Sequence, residues 1–115
     1  MGTFNPLSKI LKDNKLTRPN FIDWKRNLLI VLTAENYRHV LTTNPPKFPG
    51  ATATQEEWDV YEKWRRADEM TKCYMLASMS NVLQHQHQNF PTAKDIVVNV
   101  TEMFGEKNRA IDKCP

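Results

Sequence analysis

The chain has 115 residues, the size of one domain, and its 40% apolar and 25% charged residues are those of an ordinary soluble globular protein with enough apolar material for a core. Its longest apolar run, Leu28 to Leu32, is too short for a membrane span or a signal-peptide core, and two cysteines are too few for a disulfide scaffold. The net charge of +3 is unevenly placed: residues 1–26 carry Lys9, Lys12, Lys15, Arg18, Lys25 and Arg26 against Asp13 and Asp23, while the rest is nearly balanced.

Asn5-Pro6 is a helix start, with Asn as cap and Pro at the first helical position. Phe4, Leu7, Ile10 and Leu11 then share one side of a short helix that stops near Asn14. A second helix opens at Pro19-Asn20. Its residues Phe21, Trp24, Leu28, Val31 and Leu32 recur at three- and four-residue steps, the mark of an amphipathic helix. Leu29 and Ile30 widen that stripe, so its second half is predicted to be buried nearly all round. Tyr37, Val40 and Leu41 suggest a helical turn packing back on it. Residues 42–53, with Pro45-Pro46 and Pro49-Gly50, form a loop that cannot be helical. Loops of this length are often functional or mobile.

Thr54-Gln55-Glu56-Glu57 is a capping box. The helix behind it is predicted to run to about Met79. Its buried side is Trp58, Tyr61, Trp64, Ala67, Tyr74 and Ala77, and its surface carries the pairs Asp59–Lys63 and Glu62–Arg66. Cys73 is expected to be a small buried apolar residue, reduced like Cys114. Ser80 or Asn81 caps a short segment through Leu83. Thr92 with Asp95 makes another box-like start, followed by Ala93, Ile96, Val97, Val100, Met103 and Phe104. Gly105 ends that helix as a left-handed stop. No strand is predicted and no internal repeat is visible. Residues 106–115 read as the start of a linker or of a truncated second domain.

Little of this points to chemistry. His85-Gln86-His87 invites a metal reading, but residues two apart on a helix face different sides, so we read them as polar residues at a helix end or in a loop, with no metal. No nucleophile–base motif, P-loop or dinucleotide fingerprint is present, so the chain is read as a non-enzyme without cofactor or small-molecule substrate. The aromatic residues lie at helical spacings, which favours core packing over base stacking. The basic residues Lys9, Lys12, Lys15 and Arg18 are the RNA-contact candidates, for salt-sensitive, sequence-blind binding; the competing reading is a solvated helix face. Phe4, Leu7 and Leu11 either pack on their own domain or form a self-association surface.

Several phrases together resemble one family. They are Phe4-Asn5-Pro6-Leu7, Ile10-Leu11-Lys12-Asp13-Asn14-Lys15-Leu16-Thr17, Asp23-Trp24-Lys25-Arg26-Asn27-Leu28, and Val31-Leu32-Thr33-Ala34-Glu35. Ala67-Asp68-Glu69-Met70, Leu76-Ala77-Ser78-Met79-Ser80, Val82 to Gln88, Ala93-Lys94-Asp95-Ile96, and Glu102-Met103-Phe104-Gly105-Glu106 follow in order. This resembles the N-terminal capsid region of Gag from plant copia-type LTR retrotransposons, over roughly residues 4–109. The resemblance implies an all-α, compact bundle of about five helices forming a single capsid-like domain, with residues 1–15 as an N-terminal helix arm. It also implies a cytoplasmic structural protein that associates with itself and other Gag copies into particles packaging the element's RNA, away from membranes. It supplies no catalytic residue. The second capsid domain and the zinc knuckle usual in such Gag proteins are not in this sequence. The alternative is therefore a host-retained, truncated Gag fragment that binds RNA or protein and interferes with related assemblies.

Overall fold

A computed structural model describes residues 8–105. These form six α-helices, four of them seven residues or longer, and no strand. The helices are α1 (Ser8–Asp13), α2 (Phe21–Glu35), α3 (His39–Thr42), α4 (Gln55–Ala77), α5 (Asn81–His87) and α6 (Ala93–Val100), followed by a π-helical turn, Thr101–Gly105. The core is one cluster to which α1, the α1–α2 link and every later helix contribute.

Helix α2 buries the stripe its spacing predicts: Phe21, Trp24, Leu28, Val31 and Leu32. The stripe does not widen. Leu29 is only half-buried and Ile30 is 48% exposed, so the second half of α2 keeps an open side. The reason is geometric: α1, α4 and the π turn pack on α2, whose buried stripe faces inward, and Ile30 lies on the opposite side of the helix. Asn20 does not cap α2 with its side chain. It instead accepts from Thr17 N (2.6 Å) and donates to Lys15 O (2.8 Å), fixing the turn that delivers α2 to the core. At the other end Asn36 takes φ 65°, the only positive φ among the described non-glycine residues. Asn36 N donates to Thr33 O and Tyr37 N to Leu32 O, a Schellman closure that folds α3 back and buries Val40.

The capping box forms as predicted, with Glu57 N donating to Thr54 Oγ1 (3.2 Å) and Thr54 N to Glu57 Oε1 (2.8 Å). The buried side of α4 is different from the predicted one. It runs through Ala67, Asp68, Thr71 and Met75, while Trp58, Tyr61, Trp64 and Tyr74 are half-buried and Ala77 and Cys73 are exposed. The predicted and buried faces share Ala67 and overlap, but the large aromatic residues spread the predicted face beyond the part that α6 and α1 cover. Trp58 and Tyr61 meet Phe48 of the proline-rich loop edge-on, with ring centroids 5.5 and 5.3 Å away. The predicted pairs are also exchanged: Arg65 bridges Glu62 (3.0 Å) and Glu69 (3.6 Å), and Asp59 accepts from Gln55 (2.9 Å). Exposed pairs of this kind contribute only about 0.2–0.5 kcal/mol each, so the exchange does not disturb the fold.

Ser80 caps α5 and Thr92 caps α6, each accepting the backbone N–H three residues on. Ala93, Ile96 and Val100 are buried, and after Val100 the chain widens into the π turn, which leaves Met103 and Phe104 half-buried. Gly105 is not the left-handed stop that was expected, because no described glycine has a positive φ. Its role is close approach: a Cβ there would lie 3.0 Å from Cε2 of Phe21 and 3.3 Å from Cγ2 of Thr101.

Candidate functional site

The predicted self-association residues divide between two regions. Phe4 and Leu7 lie outside the described residues. Leu11 is 2% exposed and belongs to the core, so at this position the α1 face is closed on its own domain and offers no free contact surface. The described part of the N-terminal arm, Ser8–Asp13, packs on α2 and α4. Its link to α2 is fixed by Leu16 N, which donates to Ser78 O (2.8 Å). Residues 106–115 lie outside the described residues, as does Cys114.

The RNA-contact candidates Lys9, Lys12, Lys15 and Arg18 are all exposed. Lys9 is paired with Asp13 (2.7 Å), and the Arg18 guanidinium lies 5.9 Å from the ring centre of Phe104. Of the histidine pair, His85 is exposed but His87 is fully buried, contrary to a polar helix-end role. His87 Nδ1 is 2.8 Å from Leu83 O, a pure acceptor, so Nδ1 carries the proton and Nε2 accepts from Asn99 Nδ2 at 2.8 Å. The imidazole thereby locks α5 to α6. Among the described residues no three His, Cys, Asp or Glu side chains converge on a common point.

Among the described residues one buried polar atom, Trp64 Nε1, has no hydrogen-bond partner; the other buried polar groups bind main chain or one another. Trp24 Nε1 donates to Ser78 Oγ (2.8 Å), which donates to Met75 O (2.7 Å). Thr71 Oγ1 donates to Ala67 O (2.8 Å). Asp68 and Lys72, one turn apart on α4, hold the link into α6 from both sides. Asp68 Oδ1 accepts from Ala93 N (2.9 Å), and Lys72 Nζ donates to Phe90 O (3.4 Å) and Pro91 O (3.3 Å). None of these roles was visible in the sequence; the phrase Ala67-Asp68-Glu69 marked the place but not the task.

Burial raises the Asp68 carboxyl above its ordinary 3.8, against the opposing pull of the Ala93 N–H and of Lys72. The folded state therefore holds this proton more tightly than the unfolded chain. Its contribution is fully present below the unfolded value and is lost as pH rises through the folded one. Asp68→Asn keeps an acceptor for Ala93 N–H without the charge. We expect wild type to lose stability relative to Asp68→Asn as pH climbs from about 3.8. Urea unfolding of both proteins across that range measures it, and parallel curves would refute it. Asp68→Ala orphans the N–H and should cost about 1–3 kcal/mol at neutral pH.

Among the described residues several apolar side chains stay exposed, Val82 (68%) on α5 and Val98 (48%) on α6 among them, and two surfaces combine such side chains with charge. On α2, Ile22 (67% exposed), Arg26 and Ile30 (48%) lie in one row at four-residue steps, with Lys25 beside them. At the start of α4 an open pocket of about 650 Å³ has Pro46, Lys47, Phe48, Glu56, Glu57 and Val60 among its lining. Phe48 and Val60 there are 66% and 61% exposed. These features define the class: an all-α helical domain whose buried polar groups are structural and whose open features are apolar patches on its surface. No family profile, curated protein or solved structure matches the chain. Among the described residues no helix is long and apolar enough to cross a membrane.

Proposed function

We propose that this chain is a structural self-association module, of the capsid kind found in Gag of copia-type retrotransposons, and not a catalyst. The ordered phrases from Phe4 to Glu106 support the family reading, and an all-α fold is the architecture that reading requires. The observation that carries the self-association reading is the outer row of α2. Its inner row is wholly buried, yet Ile22 and Ile30 stand in solvent on the opposite side, flanking Arg26. A contact made there also explains how so small a domain can act: particles multiply many weak contacts. The role of Phe4 and Leu7 in such a contact, and that of Lys9, Lys12, Lys15 and Arg18 in holding RNA, belong to the same proposal.

The test is sedimentation across a concentration series. The wild-type mass is expected to rise with concentration. Ile22→Asp/Ile30→Asp should weaken association at least about tenfold, equivalent to about 1.4 kcal/mol or more. Its helical circular dichroism should be unchanged, since both side chains are exposed. An unchanged mass in the variant removes the α2 row from the contact.

A further inference from the structure

The two open surfaces differ in charge and lie at opposite ends of the molecule's longest helix. Residues 8–26 hold six basic and two acidic side chains, and residues 43–62 hold four acidic and one basic. The basic region reaches α4 at its C-terminal end, where Trp24 bonds Ser78. The acidic one surrounds the N-terminal end of α4, at Thr54 to Glu62. Helix α4 has 23 residues, so about 35 Å separates the two ends. One copy cannot bring its own basic end to its own acidic pocket.

Resting on the self-association reading above, we propose that copies join head to tail: Ile22 of one, with Lys25 and Arg26 around it, seats in the Phe48–Val60 pocket of the next. The chemistry is complementary in both respects. Ile22 is an exposed apolar knob one turn from Lys25 and Arg26 and next to Asp23, and the pocket joins the apolar side chains Pro46, Phe48 and Val60 to the carboxylates of Glu56 and Glu57, which outnumber its one cation, Lys47. The pocket is larger than one isoleucine side chain, so it also takes the aliphatic stems of Lys25 and Arg26 while their charged heads reach its rim. The Arg26–Asp23 pair is more than 60% exposed on both sides, and such a pair gives way at little cost. Opposite charges steer the approach and select orientation more than they add affinity. Because the two surfaces are different, the contact is heterologous: each copy bound leaves a fresh knob and a fresh pocket, so the product is a ring or an open chain.

Two one-faced variants test this. Glu56→Lys/Val60→Lys spoils the pocket and spares the knob, while leaving Glu57 in its capping box. Ile22→Glu/Arg26→Glu spoils the knob and spares the pocket. All four positions are exposed, and far-ultraviolet circular dichroism and thermal melting verify folding. Each variant alone should be monomeric by sedimentation where wild type forms larger species. Mixed one to one they should form a dimer and stop there. Wild-type association should weaken as salt rises from about 50 mM to about 500 mM. Wild type that stays monomeric at every concentration in low salt overturns self-association itself. Wild type that assembles while the mixed variants stay monomeric, or while either variant still assembles alone, overturns the head-to-tail pairing only, and gives the pocket to another occupant.

Discussion

Replacing Trp24 by alanine is expected to remove about 3–5 kcal/mol of stability, the largest effect of any single truncation in this domain. Trp24 is 1% exposed and fills the space between α2 and the end of α4. A domain of this size has roughly 6–17 kcal/mol in total, so the variant should melt at least about 12 °C lower. Two milder changes separate packing from hydrogen bonding. Trp24→Phe keeps most of the ring but loses the N–H to Ser78, and should cost about 1–2 kcal/mol. Ser78→Ala keeps the ring and orphans the indole donor in a buried place, for about 1–3 kcal/mol. The double variant should cost less than the sum, because both singles break one bond. Urea unfolding followed by circular dichroism reads all four. Strict additivity would mean that the indole–hydroxyl bond contributes nothing of its own.

His87→Leu is the second large effect, expected at about 2–4 kcal/mol. Leucine fills much of the volume but offers nothing to Leu83 O or to the Asn99 amide, both of which the imidazole satisfies. The Asn99 amide also lies 3.4 Å from Met103 Sδ, so its loss of a partner reaches the π turn. Adding Asn99→Leu should recover part of the stability by removing the stranded amide, in keeping with the rule that deleting both partners is cheaper than deleting one. A double variant less stable than the single by the full cost of Asn99→Leu would show that the two side chains are independent.

Helix positions were legible wherever a local signal was strong. The stripe of α2, the capping box at Thr54, the serine and threonine caps of α5 and α6 and the proline-rich break all follow from residues within a few positions of one another. What escaped the sequence depends on distant partners. Asp68 reads as an ordinary surface acid until α6 is placed over it, and Ser78 as an ordinary helix-end serine until Trp24 arrives from 54 residues away. His87 falls on the same face as Leu83, four residues back, and that spacing was available as a clue to burial. The misplaced face of α4 has a different cause. Its bulkiest residues are only half covered, while the buried line is Ala67, Asp68, Thr71 and Met75, two of them polar side chains that an apolar count overlooks. Of the surfaces, Ile22 could be singled out only after its neighbours on α2 proved to be wet.

The uneven seating of α4 has a mechanical consequence. Its buried residues begin at Ala67, whereas the pocket lies at its first two turns, where Trp58 and Tyr61 meet a single loop ring from Phe48. The helix is thus clamped in its second half, while its first turns rest on the loop ring of Phe48. A tilt of about 5° at the clamp swings a tip about 18 Å away by about 1.5 Å. In the head-to-tail string proposed above, successive subunits would share one identical joint and still bend by differing amounts, so that rings of more than one radius would be open to the same polypeptide.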